Sequence, residues 1–355
     1  MPELRVRIGC VVLAVIMSAV TYYFVEPRLR WGRYGGYKAA GLLSVMVAVG
    51  IAGYSIERHD GYTARMNDPE QPVIDAINSR LKEDNERCLK LFPEWKTLAD
   101  VGVYDVTQCK FQKSPGENTI AIIGDSHAGH LYPGLISLTK QDEGVIVFPG
   151  SGSIPLIGLH SFPTVRPHTE RLLSKGFDYI LSHKNITKVV LSHHPGGSWN
   201  NVIDTKNLNN HDFQSILHDG FVRTFETLTK AGKEIYVVID NPEYDNNHFL
   251  KCNSSIVRRP FILPGFLSSK KPDSCSLKSS QRPERVAVDN WNKVAHELSS
   301  DYTNIHFIDL EYVFCPNELC SMLGPKGDML YMDAGHLNVK GSIYAAPFIL
   351  EHLRQ

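Results

Sequence analysis

The sequence has almost no net charge, no cysteine pattern for zinc and no internal repeat, and each absence closes off a class of function. Across 355 residues, 37 Lys and Arg meet 38 Asp and Glu, for a net charge of −1. A chain with no basic bias has no electrostatic footprint for nucleic acid, and none is expected as a partner. Seven cysteines are present, but none stands in a CxxC or Cys/His spacing of the kind that holds zinc, so no metal is expected. The lack of repeats and low-complexity runs removes solenoids and long disordered tails. Charge itself is missing from two stretches, Ile8 to Val25 and Ala39 to Ile56, each 18 residues long. That length just spans a hydrocarbon core as a helix.

Two readings compete for the first of these stretches. Arg5 and Arg7 precede it as in a signal peptide, but no small-residue cleavage site follows. Tyr22, Tyr23 and Phe24 follow instead, as aromatics do at a membrane interface, and the second apolar stretch begins soon after. A transmembrane hairpin over residues 1–56 is therefore expected. Its connecting loop carries Arg28, Arg30, Arg33 and Lys38 against Glu26 alone. Positive loops stay in the cytoplasm, which puts everything after Ile56 on the outer side, although Arg5 and Arg7 pull the other way. Cysteine usage fits an oxidising outer compartment. Apart from Cys10 in the first apolar stretch, the cysteines form an even set: Cys88, Cys109, Cys252, Cys275, Cys315 and Cys320. Among the possible connectivities, local pairing is favoured: Cys88 with Cys109, Cys252 with Cys275, Cys315 with Cys320.

Residues 57–116 read as an ordered extension pinned by a disulfide. Within it, Val73, Ile74, Ile77 and Leu81 have near-helical spacing, and Pro72 and Pro93 bracket a helix over Gln71–Leu91. Trp95 to Gly116 reads as irregular. From residue 117 to 355 short apolar strands alternate with helices. The strands are Ile120–Ile123, Val145–Phe148, Lys188–Ser192, Glu234–Ile239 and Ile305–Ile308. The helices are Gly129–Thr139, His168–His183, Asp212–Ala231, Arg282–Ser299 and Val339–Leu353. Such strands between helices indicate an α/β fold, a parallel sheet covered on both faces. Asn241 to Gln281 interrupts the rhythm as a long insertion holding Cys252 and Cys275. It shapes a ligand cleft at the strand C-terminal edge or is a stapled surface loop.

The chemistry sits in two motifs more than 200 residues apart, TIAIIGDSHAGH (Thr119 to His130) and MDAGHLN (Met332 to Asn338). Ser126 falls where an apolar strand meets a helix, and free backbone N–H groups at a helix N-terminus suit an oxyanion. An isolated GDS is more often a helix cap. Here the strand before it, the helix after it and the distant DxxH all fit a nucleophile. Asp333 and His336, two residues apart, can share one side of a tight turn, with the carboxylate accepting from Nδ1 and Nε2 left for the serine. His127 and His130 read as residues lining the helix surface, Trp291 as core, and Tyr331 as packing.

GDSH with a terminal DxxH resembles the SGNH hydrolase superfamily. The hairpin, with YYFVEPRLR at the end of its first helix, and the cysteine-bearing extension resemble more closely the C-terminal part of bacterial acyltransferase-3 proteins with a fused SGNH domain, over about residues 10–355. The resemblance implies a flavodoxin-like, three-layer SGNH hydrolase fold after the hairpin. It implies O-acylation, chiefly O-acetylation, of cell-envelope polysaccharide such as lipopolysaccharide O-antigen, with Ser126, Asp333 and His336 catalytic. It also implies a multi-pass inner-membrane protein with a periplasmic C-terminal domain.

The match departs from the family pattern in two places. Family members carry a membrane domain of about ten helices that handles the acyl donor, expected to be acetyl-CoA, and only its last helix corresponds to anything here. The chain then reads as a truncated or split gene product, or as the partner of a separate acyltransferase-3 membrane subunit, with no cofactor of its own. SGNH enzymes also add a glycine and an asparagine to the oxyanion hole beside the serine N–H. GSGSIPL supplies Gly152, or Gly150, for the first. The second has no GxN after Lys188–Ser192; Asn200, Trp199 and His194 are substitutes within HHPGGSWNN, with Pro195 near the place of an aromatic found in the subgroup. The alternative activity is a periplasmic carbohydrate esterase or deacetylase with the same triad. A non-enzymatic glycan-binding or inactive fragment fits an intact Ser126, Asp333 and His336 poorly.

Overall fold

The computed structural model describes residues 4–27, 34–58, 70–100, 108–113, 118–140, 142–161, 167–195, 202–256, 275–283 and 285–355. Loop residues Arg28, Arg30 and Arg33, the oxyanion candidates Trp199 and Asn200, and residues 257–274 of the insertion lie outside them. The chain divides into two compact units, residues 1–72 and 73–355.

In the first unit, α1 (Leu4–Val20) runs into a widened π-helical turn over Thr21–Val25, and α2 spans Gly35–Arg58. Among the described residues, α2 is the one helix long and apolar enough to cross a membrane; the apolar stretch Val11–Val25 is shorter. No side chain of α2 is buried by protein. A helix apolar on every side and bare of protein is suited to lipid as its solvent. Two hydroxyls of this unit are met by the backbone: Ser44 Oγ donates to the Ala40 carbonyl at 2.9 Å, and Thr21 Oγ1 in the preceding turn donates to the Met17 carbonyl at 2.8 Å.

The second unit is entered along α3 (Gln71–Leu91), whose bounds are those the spacing of its apolar residues indicates. The residues from Trp95 onward, expected to be irregular, instead begin inside a short helix, α4 (Pro93–Asp100). Trp95 is fully buried and stacks on Phe92 at 4.0 Å, so tertiary burial holds a turn that the local pattern does not show. Then come β1 (Lys110–Gln112), β2 (Asn118–Gly124), α5 (Ser126–Leu138), β3 (Glu143–Pro149), β4 (Leu159–Ser161), α6 (Pro167–Ser182), β5 (Ile186–Ser192), β6 (Val202–Asp204) and α7 (Phe213–Lys230). They are followed by β7 (Glu234–Ile239), α8 (Asn246–Ile256), β8 (Ser276–Lys278), α9 (Arg285–Ser299), β9 (Ile305–Asp309), α10 (Glu311–Phe314), β10 (Leu319–Ser321) and α11 (Val339–Leu353).

The main sheet has the order β1-β3-β2-β5-β7-β9. All its pairings are parallel except that of β1, which runs antiparallel to β3 at the edge. Without that edge strand the order is the flavodoxin-like one. Alternate residues of β2 feed two cores. Ala121 and Ile123 join a cluster with α3, α6, α7 and α9, while Ile120 and Ile122 join one with α5 and α11. The period of two thus builds helices on both faces, the three-layer α/β fold. Sulfur bridges join Cys88–Cys109, Cys252–Cys275 and Cys315–Cys320. The first ties α3 to the start of β1. A buried carboxylate adds to the same join: Asp84 accepts from Tyr132 of α5 at 2.9 Å and contacts Arg87, and Arg80 donates to the Ile136 carbonyl at 3.0 Å. Burial pushes the Asp84 carboxyl up despite its Tyr132, Arg87 and Arg80 neighbours.

Two close approaches set where the motif residues fall. A Cβ on Gly124 would overlap the Ser192 carbonyl of β5, and one on Gly134 of α5 would overlap the Ser342 carbonyl of α11. The Gly134 N–H donates to Ser342 Oγ at 2.7 Å. Gly134→Ala should therefore force α5 and α11 apart and cost about 1–3 kcal/mol. Urea melts of the variant check this, and an unchanged midpoint and slope would contradict the contact.

Candidate active site

β2 ends at Gly124, and Asp125 caps α5 by accepting from the His127 N–H at 2.8 Å. The cap starts the helix at Ser126, three residues before the start expected from the apolar pattern. The N–H groups of Ala128 and Gly129 bond the Asp125 carbonyl, at 3.1 and 3.3 Å. That of Ser126, first in the helix, has no intrahelical acceptor. The other Asp125 oxygen accepts from the His194 N–H at 2.9 Å and lies 3.0 Å from His193 Nδ1. Asp125 therefore welds the end of β2 to the end of β5. Its burial opposes ionisation, but the His193 and His127 imidazoles and the His194 N–H together outweigh this and hold the carboxyl well below the usual range.

The structure brings Ser126, Asp333 and His336 together. His336 Nε2 lies 2.8 Å from Ser126 Oγ, and His336 Nδ1 lies 2.8 and 3.0 Å from the two Asp333 oxygens. One Asp333 oxygen also accepts from the N–H groups of Gly335 (2.9 Å) and His336 (2.7 Å), which closes the tight turn. Burial raises the Asp333 carboxyl, and these N–H groups and the imidazole together pull it below its ordinary value. The pair is open to solvent: the side chains of His336 and Asp333 are 33% and 49% exposed. Asn338 then caps α11 by accepting from the Gly341 N–H at 3.0 Å.

Of the two glycines after β3, Gly150 gives its N–H to the Gly124 carbonyl at 2.8 Å. It has none to offer an oxyanion. Gly152 sits in the turn beyond it at φ +69, a conformation that favours glycine. His194 has both ring nitrogens near carboxylates, Nδ1 at 3.5 Å from Asp240 and Nε2 at 3.3 Å from Glu243. A ring so engaged is a poor substitute for a neutral amide donor, which removes His194 from the oxyanion candidates. Pro195 closes the described part of that loop.

The expectation that His127 and His130 line the helix surface is wrong. They are 2% and 8% exposed, because α5 turns this face toward the ends of β5 and β7 and the His336 loop. His127 Nδ1 contacts both oxygens of buried Asp240, at 3.0 and 2.8 Å. Its ring stacks on His194 and lies 4.7 Å from the His336 ring, centre to centre. Burial disfavours the His127 cation, but the charge and hydrogen bond of Asp240 and the charge of Asp125 together prevail and raise its pKa. His194, opposed by burial and supported by Asp240 and Glu243, is raised to about 9. Asp240, despite burial, is held far below its ordinary value by the His127 charge. His130 is kept neutral by burial and by His127; its Nδ1 accepts from the Leu337 N–H at 3.3 Å.

Nothing in the sequence reading singled out Asp240 or Glu243. The available signal was a carboxylate directly at the end of an apolar strand, in VVIDNPE. His127, His130 and Asp240 also offer ligand atoms within 4.8 Å of one another, a set that suits a transition metal by type. His127 Nδ1, however, is already taken by Asp240. Of the insertion, the opening residues meet the site: Asn241 Nδ2 donates to the Gly335 carbonyl at 2.9 Å, and the Tyr244 N–H to Ala334 at 2.8 Å. Trp291 and Tyr331 are buried at 1% and 2% exposure.

These ionisations predict a pH dependence. His194, raised in the fold, stabilises fully below its unfolded value of about 6.5, and that stability is lost as pH rises through about 9. Asp125 and Asp240, depressed in the fold, stabilise above about pH 4 and lose their contribution only in strong acid. The unfolding free energy from denaturant melts should fall between about pH 6.5 and 9, with a shallower fall in Asp240→Asn. A rise over that range would contradict the assignment.

Residues 88–351 match the family described as the SGNH domain (fused to AT3 domains). No curated protein matches the sequence. Among solved structures, the chain is similar to the periplasmic domain of a lipopolysaccharide acetyltransferase from Salmonella ser. Paratyphi A. Identity is 18%, covering 68% of this chain and 85% of that one, with a TM-score of 0.49. It is also similar to an acetylxylan esterase from Geobacillus stearothermophilus (12% identity, 68% and 96% covered, TM-score 0.36). A third is a putative platelet activating factor from Streptococcus pneumonia (13%, 80% and 99%, 0.36). With about three quarters of its length matched by the family and the fold in agreement, the chain belongs to the SGNH domains of the kind fused to AT3 domains.

Proposed function

We propose that the chain is a membrane-anchored O-acyltransferase. It moves an acyl group, chiefly acetyl, onto cell-envelope polysaccharide such as lipopolysaccharide O-antigen, through an acyl-serine at Ser126. The observation that carries the reading is the hydrogen-bonded line from Ser126 Oγ through His336 to Asp333, each link 2.8 Å. His336 Nε2 takes the Ser126 proton as Oγ attacks the acyl carbonyl. The N–H groups of Ser126 and Gly152 steady the oxyanion. The donor's leaving group departs with the proton from His336. In the second half, His336 deprotonates the acceptor hydroxyl, which takes the acyl group and frees Ser126. Asp333 holds the imidazole in the tautomer both halves need.

The family supports an acyl-group reaction, and α2 supports a membrane anchor. The rest of the proposal is a bacterial inner-membrane location, crossed by α2 and by the shorter Val11–Val25 helix, with residues 73–355 in the periplasm. Three disulfides fit an oxidising compartment. The acyl donor, acetyl-CoA in this reading, is handled by an acyltransferase-3 membrane module. The partners are that module, membrane lipid and the polysaccharide acceptor. One observation favours a second reading, a carbohydrate esterase: the base and its carboxylate are open to water.

In the detergent-solubilised chain, p-nitrophenyl acetate should be turned over, and Ser126→Ala should lower kcat by on the order of 10³-fold or more. Equal rates would end the serine mechanism. Adding an oligosaccharide acceptor separates the two readings. Acetylated sugar at the expense of free acetate supports transfer; acetate release unaffected by sugar supports the esterase.

A further inference from the structure

The carboxylate of the Ser126–His336–Asp333 line is more exposed than the imidazole and lies three residues from the histidine it orients. Asp333 can set the tautomer of His336, but it cannot set where the Met332–Leu337 loop stands relative to α5. Something else must hold the imidazole at hydrogen-bond distance from a serine 210 residues away.

The buried pair His127–Asp240 stands where such a tie is needed. His127 directly follows the nucleophile, and its ring stacks on His194 and lies tilted against the His336 ring, 4.7 Å from each, centre to centre. Its Cε1 and Nε2 come within 3.7 Å of where a Cβ on Gly335 would stand, an ordinary van der Waals contact that places the ring beside the base's loop. Asp240, at the end of β7, grips Nδ1 with both oxygens. The next residue, Asn241, holds the Gly335 carbonyl, so one strand end touches both the nucleophile's neighbour and the base's loop.

We propose that Asp240, acting through His127, is a positioning carboxylate for acyl transfer, a second carboxylate–imidazole pair that fixes His336 against Ser126. This rests on the serine reading above. Neither Asp240 nor His127 touches substrate. Both act by keeping two separately carried groups in register, and a misplacement of about 1 Å between such groups can cost on the order of 10²-fold in rate. The charges reinforce the pair: Asp240 favours the His127 cation and His127 the Asp240 anion, so each is locked by the other in a dry site.

The test uses the detergent-solubilised full chain with p-nitrophenyl acetate, counting active sites by complete labelling with a fluorophosphonate. Asp240→Asn, which keeps shape and one hydrogen bond but removes the charge, should lower kcat per labelled site by about 10- to 100-fold with KM changed less than about 2-fold. His127→Gln should do the same. The double variant should be no worse than either single, because the two act as a unit, whereas adding Asp333→Asn should multiply the loss. If kcat per labelled site stays near that of the unmodified chain, or if activity falls only as far as the number of labelled sites falls, the pair is a stability element and the proposal is overturned. Losses that simply add in the double variant also overturn it. So does an activity removed by EDTA and restored by Zn²⁺, which would make the cluster a metal site. Ser126→Ala with full turnover would instead remove the serine reading, whatever Asp240 does.

Discussion

Ser342 occupies the space a side chain on Gly134 would need. This contact lets α5 and α11 approach at backbone distance, with the Gly134 N–H bonded to Ser342 Oγ. Each helix begins at one half of the site: α5 at Ser126, and α11 three residues after His336. The contact between the helices therefore sets how near the two halves of the site are brought. A second close approach, Gly124 against the Ser192 carbonyl, fixes the strand from which the serine emerges. Interiors this tightly packed do not stretch to absorb an added methyl group, so both glycines are demanded by space.

On that frame the charges fall into two layers. The outer one, Asp333 with His336, is half exposed and local to one turn. The inner one ties the ends of β2, β5 and β7 through Asp125, His193, His194, His127 and Asp240. Buried charge is costly unless paired, and each of these carboxylates faces at least one imidazole. The same desolvation that makes the pairs necessary makes them rigid.

The parts of the molecule differ in how plainly they stood in the sequence. Strand cores such as Glu234–Ile239 and helices such as Val339–Leu353 were legible because periodicity and caps are local, and they recur with the same bounds. The disulfides were legible from parity and proximity. The three-residue strands β1, β4, β6, β8 and β10 were not, because so short a run carries no period. They exist because a partner strand lies alongside. The helix Pro93–Asp100 likewise depends on the burial of Trp95.

Ser126, Asp333 and His336 were visible because two compact motifs name them, a strand-to-helix turn and a DxxH. The role of His127 was not. Its sequence neighbours place it beside Ser126, but the side chain's direction is set by helix phase, and its partner Asp240 is 113 residues away. That the Gly150 N–H is already spent also required the fold, since only the Gly124–Gly150 hydrogen bond shows it. What the sequence alone determined is what local chemistry dictates: element type, residue inventory, the lipid-length apolar stretch and the pairing of nearby cysteines. Tertiary structure decided which buried charges meet and which backbone groups are already spent, because those depend on contacts between strand ends that no local pattern encodes.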